Sequence, residues 1–247
     1  MGERSRAAAA VFSSAVRNRQ LRRIESSYGL FIGAEWAVWI SLLVFAYDRG
    51  GTSSATLIGV IQLVPCFLLG PLIGAMADRS RPGRVLLVGY AVQAGTMAGI
   101  AIAIAASAPT WVVFVLAPLM NIGISVTRPA QAALVPCIVR TAEELTASNV
   151  MAGWVEQASR LIVPAVAGLL LATNGPALAL GVTAAMTVVA GLLVISVPGP
   201  APVHNDDELT TTLRANLSAV GRDGSTRVLL SLNVLYQALS ARSTCCA

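Results

Sequence analysis

Glu35, Glu156 and Arg160 are charged residues set inside runs that are otherwise apolar for about twenty positions. A charge at the centre of a bilayer costs at least about 2.5–3.5 kcal/mol on insertion scales, so such residues are kept where they face water, a countercharge or a reaction path. Glu35, early in the first run and beside Trp36, is suited to carry a proton in a water-filled cavity, because desolvation disfavours its charged form. The plainer alternative is a carboxylate at the mouth of the first helix. Glu156 and Arg160 stand one helical turn apart and can neutralise each other, which is a packing role.

Two more groups of residues could do chemistry. Arg128, followed by Pro129 and Gln131, closes a fourth apolar run; it is a fixed positive charge that either lowers a neighbour's proton affinity or only orients the chain in the membrane. Gly74, Asp78, Arg79, Arg81, Gly83 and Arg84 crowd the short turn between the second and third runs. A carboxylate there can pair with arginine and cap backbone amides at a helix end. Gly70, Gly74 and Asp78 recur at four-residue spacing, which places them on one closely packed helix face. Pro164 and Gly168 in the fifth run, with Pro65, Gly70 and Pro71 in the second, mark expected kinks and close helix approaches.

Enzyme chemistry finds no support. The lone His204 has no partner pattern, paired carboxylates and nucleophile constellations are missing, and no glycine-rich phosphate loop follows a strand. Cys66, Cys137, Cys245 and Cys246 lack zinc or redox spacing. No metal and no cofactor is expected.

The elements that must hold these residues follow from composition. Of 247 residues, 55% are hydrophobic and only 12% charged, outside the range of an ordinary soluble domain. The net charge of +5 comes from arginine, as the chain has no lysine. The arginines sit at the edges of apolar runs rather than along one face, which argues for membrane orientation and against nucleic acid as a partner. Runs long enough to cross about 30 Å of hydrocarbon lie near 28–47, 54–77, 85–106, 111–126, 147–173 and 177–197. Backbone groups in lipid must be satisfied internally, so these runs are helices, and the fold class expected is an all-α membrane protein with a six-transmembrane-helix bundle.

Arg4, Arg6, Arg17, Arg19, Arg22 and Arg23 precede the first span, Arg79, Arg81 and Arg84 follow the second, and Arg140 follows the fourth. The intervening loops are nearly free of positive charge, so both termini are expected in the cytoplasm. The domain reading is a basic cytoplasmic segment over 1–27, the bundle over 28–197, a polar linker over 198–226 that opens on Pro198–Gly199–Pro200, and an incomplete seventh-helix start with a tail over 227–247.

The turn from Gly74 to Arg84 resembles the signature loop of the major facilitator superfamily. Arg128–Pro129–Ala130–Gln131, then Glu144, Asn149, Arg160, Pro164 and Gly168, resemble the fourth-to-fifth-helix region of its drug-exporter-like branch. The resemblance covers roughly 21–197 and implies the N-terminal six-helix half of a transporter, apparently truncated. It implies that Gly74, Asp78, Arg79, Gly83 and Arg84 form a conformational latch and that Arg128 and Gln131 belong to an arginine–glutamine motif used in proton coupling. The expected function is secondary-active, proton-coupled export of a small amphiphilic or cationic molecule through a bacterial-type inner membrane. The expected partners are the lipid bilayer, protons and substrate, together with a second copy or a missing C-terminal half. The alternative is a transport-inactive half-transporter or a non-transporting membrane scaffold.

Overall fold

The computed structural model describes residues 18–195 and residue 197, with the side chains of 64–79 outside the description. Within these residues the chain forms four helices: α1 (Arg19–Arg79), α2 (Pro82–Ala105), α3 (Thr110–Leu134) and α4 (Ala142–Val194), with a short 3-10 turn at Val135–Cys137 between the last two. The six separate helices expected from sequence are therefore not what is found. α1 has 61 residues and α4 has 53, because each runs on through an expected loop.

Neither long helix is straight. A regular helix of the length of α1 would extend about 90 Å, three times the hydrocarbon thickness. Gly50 (φ −156°, ψ 21°) and Gly51 (φ 65°, ψ −154°) leave helical geometry in α1, and Gly175 (φ 76°, ψ 176°) does so in α4. The positive φ of Gly51 and Gly175 is a conformation that a Cβ penalises, so glycine is the residue that permits each break. Both breaks fall where the sequence places short loops.

Capping explains where the helices begin. Asn18 Oδ1 accepts from the backbone N–H groups of Gln20 at 3.2 Å and Leu21 at 3.3 Å, satisfying donors that the first turn leaves free. Its Nδ2 donates to the carbonyl of Ile138 and so fastens the start of α1 to the turn before α4. α1 thus starts at Arg19, ahead of the expected first span at Tyr28, and Leu21 and Ile24 are buried. Pro82 opens α2, where its missing N–H costs nothing. Thr141 Oγ1 accepts from the N–H of Glu144 at 3.2 Å, while Glu144 Oε2 accepts from the N–H of Arg140 at 3.0 Å. This reciprocal pair fixes the start of α4.

α2 and α3 approach each other closely at one point. A Cβ on Gly123 would lie 3.1 Å from the carbonyl oxygen of Gly89, so the two backbones nearly touch. Gln93 Nε2 donates to Thr127 Oγ1 at 2.6 Å beside this crossing. Asn121 Nδ2 donates to the carbonyl of Gln62 at 2.6 Å, tying α3 to α1. Ser27 Oγ lies 2.9 Å from both Tyr90 Oη and the carbonyl oxygen of Ala190, joining α1, α2 and α4. Small residues and hydrogen-bonding side chains at helix contacts are the way helices associate where lipid removes any hydrophobic drive between them.

The outer surface is apolar. Val88, Ile102, Trp111, Val115, Leu161, Leu169, Leu192 and Ile195 are exposed, a surface that water would not tolerate over such an extent and hydrocarbon does. The stretches Arg19–Leu63, Pro82–Ala105, Thr110–Cys137 and Ala142–Val194 are each long and apolar enough to cross a bilayer. The chain is a multi-pass membrane protein. The expected linker (198–226), the seventh-helix start (227–247) and residues 1–17 of the N-terminal segment lie outside the described residues.

Candidate functional site

Four charged side chains from three of the apolar helices meet in the bundle. α1 supplies Glu35, α3 supplies Arg128, and α4 supplies Glu156 and Arg160. Arg128 Nη2 donates to Glu35 Oε2 at 2.7 Å and Nη1 donates to Glu156 Oε1 at 3.2 Å. Arg160 Nη2 reaches the same Glu156 oxygen at 3.6 Å, across one helical turn. The result is an alternating chain of two anions and two cations that is neutral as a unit. Neutral pairing is the condition under which charges persist at membrane depth.

Aromatic rings floor this chain. The Arg128 guanidinium carbon stands 5.9 Å from the centroid of Phe31, and that of Arg160 stands 5.8 Å from Trp36, within the range at which ring faces attract cations. Both rings come from the helix that carries Glu35. Spacing along α1 therefore sets the carboxylate and its two aromatic supports together, while Pro129, inside α3, follows Arg128 directly.

The chain of charges is not sealed. The side chains of Arg128 and Arg160 are 41% and 49% exposed, against 24% for Glu156 and 14% for Glu35. Glu35 is thus the innermost member and Arg128 the bridge. Glu35, expected from sequence as a protonatable carboxylate, is held here by the Arg128 guanidinium. The expected Glu156–Arg160 pair is present, and Glu156 also serves Arg128.

Gln131, one turn beyond Arg128, is buried, and its Oε1 has no hydrogen-bond partner among the described residues. It lines a cavity of about 340 Å³ together with Glu25, Tyr28, Arg128, Ser148 and Asn149. Glu25 was not singled out by sequence reasoning. It is buried, its Oε1 accepts from the Ser148 hydroxyl, and its Oε2 has no hydrogen-bond partner among the described residues. The neighbouring Arg22 and Arg23 make this stretch look like a solvated basic segment. The signal that could have found Glu25 is its position between Leu21 and Tyr28, which share its helix face.

The remaining expected residues are placed as follows. Gly74, Asp78 and Arg79 lie in α1 among residues whose side chains are outside the description. Gly83 is buried in the first turn of α2 and Arg84 is exposed beside it. Pro164 lies inside α4. Gly168 is expected at a close helix approach; among the described residues nothing lies within 4 Å of where its Cβ would stand. It is Ala167, one position earlier, that faces inward and is buried.

An all-helical, multi-pass bundle with an apolar exterior and paired charges among its helices defines a polytopic membrane protein. Residues 26–243 match the sequence profile of the Major Facilitator Superfamily, and the chain belongs to that family, whose members are transporters. No curated protein matches the chain.

Proposed function

We propose that this major facilitator transporter exports a small amphiphilic or cationic molecule in exchange for protons, as the drug-exporter-like branch does, across a bacterial-type inner membrane. The observation that carries the reading is the chain Glu35–Arg128–Glu156–Arg160, half-exposed at its two arginines. Guanidinium groups so exposed cannot border hydrocarbon without a large cost, so this face of the bundle borders an aqueous path or another protein wall. That wall is a second copy of the chain or a C-terminal half that completes the transporter.

Coupling follows from competition for carboxylates. A proton on Glu35 cancels the charge that holds Arg128, which leaves the guanidinium to Glu156 alone. A cationic substrate offers the same carboxylates an alternative countercharge. Proton and substrate then exclude each other at one site, which is the requirement of an exchanger.

In this reading α1 and α4 each cross the membrane twice, reversing at Gly51 and Gly175, which makes a six-helix bundle with both termini in the cytoplasm. The turn from Gly74 through Asp78 and Arg79 to Gly83 and Arg84 lies on the cytoplasmic side and latches the outward-facing state. The test uses ethidium, an amphiphilic cation. Cells expressing the chain should accumulate less of it than cells carrying the empty vector, and a protonophore should remove the difference. Equal accumulation at matched membrane expression counts against export.

A further inference from the structure

The cavity near the start of α4 adjoins the charge chain and shares Arg128 with it. Its volume is about 340 Å³, the lower range of small-molecule sites. α1 contributes Glu25 and Tyr28, α3 contributes Arg128 and Gln131, and the first turns of α4 contribute Ser148 and Asn149.

Two features of its wall point to the occupant. Glu25 is 7% exposed and Gln131 is 6% exposed, and each keeps one oxygen, Oε2 and Oε1 respectively, without a hydrogen-bond partner among the described residues. Buried acceptors left unpaired are costly, so a ligand that supplies donors recovers free energy that an apolar ligand cannot. The charge balance points the same way. Arg128, the cation among the described lining residues, is already shared between Glu35 and Glu156, and among the described residues the hydrogen bond to Glu25 comes from the Ser148 hydroxyl. Ala132, Val135, Pro136, Leu145 and Ala152 make up the rest of the wall and suit an apolar body.

We propose that this cavity binds a primary organic amine in its protonated form, with the ammonium group on Glu25 and Gln131 and the hydrocarbon part against Val135 and Leu145. The ammonium brings three N–H donors to two unpaired oxygens, both of which are buried and must turn toward the cavity to meet it. A quaternary ammonium carries the same charge with no donor, so N–H donation and not charge alone sets the selectivity. The inference stands on the cavity and its lining, and binding can be read with no flux at all.

The experiment is equilibrium dialysis of radiolabelled 2-phenylethylammonium against the purified full chain in lipid nanodiscs, at constant ionic strength. Saturable binding is expected. The trimethylated analogue should compete at least about ten-fold less well, and Glu25→Gln should weaken binding of the primary amine by about ten-fold or more. Should Glu25→Gln fail to insert, Gln131→Leu takes its place, with the same loss expected and undiminished binding overturning the proposal. No saturable binding to the parent chain overturns it, as does equal competition by the quaternary analogue or full retention of binding in Glu25→Gln. A failure of export in cells leaves this result untouched, and a failure of binding leaves the export reading untouched.

Discussion

The guanidinium of Arg128 lies 2.7 Å from the carboxylate of Glu35, although 93 positions of sequence separate the two. This contact joins α1 to α3, and the second arm of the same guanidinium, on Glu156 at 3.2 Å, extends the link to α4. Three helices are held by one side chain. The arrangement resists sliding of any one helix while both carboxylates are charged, and it loosens when either takes a proton.

Arg128→Gln should therefore destabilise the bundle. It removes both charge-assisted hydrogen bonds and leaves two like charges facing each other, at a cost of about 1.5–3 kcal/mol per lost bond before relaxation and solvent access reduce it. Adding Glu35→Gln should recover part of the loss. A double-mutant cycle on equilibrium unfolding in mixed micelles should give a coupling of about 0.5–3 kcal/mol; strict additivity of the two single changes would mean that the pair contributes nothing to the fold.

Gly123→Ala tests the crossing of α2 and α3. The added Cβ would stand 2.9 Å from Gln93 Cγ and 3.1 Å from the carbonyl oxygen of Gly89. The side chain can move aside and the carbonyl cannot, so the helices must separate, at a cost of about 1–3 kcal/mol. Gly95→Ala, with nothing described within 4 Å of its Cβ, should be neutral or stabilise by up to about 1 kcal/mol through helix propensity. Thermal unfolding of the two variants side by side decides the matter, and equal midpoints would show that the crossing tolerates a methyl group.

The parts of this architecture legible in sequence are those that depend on neighbours along the chain. Apolar runs of about twenty residues mark the membrane stretches, and Glu156 and Arg160 declare themselves as a pair because one helical turn brings them together. The Glu35–Arg128 contact depends on how α1 and α3 pack, so Arg128 reads equally well as an orientation charge at a helix end. Glu25 is hidden for a related reason: flanking arginines mask a residue whose burial comes from α4 through Ser148. The sequence places loops at Gly50–Gly51 and at Gly175, and helical geometry breaks at those residues; four continuous helices are found rather than six because each break takes only one or two residues.

Orientation is open to a direct measurement. With native cysteines replaced, including the exposed Cys137, a cysteine at Ser80 should resist a membrane-impermeant maleimide in intact cells. One at Ser107, between α2 and α3, should react. By the preference of cytoplasmic loops for positive charge, the arginines at 79, 81 and 84 favour an inside location for the first position, and the loop holding Ser107 carries no positive charge. Labelling with the opposite pattern would invert the topology.

Glu35→Gln is the sharpest test of coupling. The amide keeps the shape of the side chain and can still accept a hydrogen bond from Arg128, but it can neither bind nor release a proton. Insertion and folding should survive, because a neutral amide costs less at membrane depth than a charge, and Arg128 keeps Glu156 as its countercharge. What should be lost is the competition between proton and substrate at this carboxylate. In proteoliposomes loaded with ethidium, an imposed pH gradient should drive at least about ten-fold less flux through the variant than through the parent, corresponding to about 1.4 kcal/mol or more of lost coupling. Exchange of labelled for unlabelled ethidium at equal pH should persist, since it needs the binding face and the motion but no proton. Gradient-driven flux equal to the parent's at every pH would assign Glu35 to holding α1 against α3, with proton coupling carried by another group.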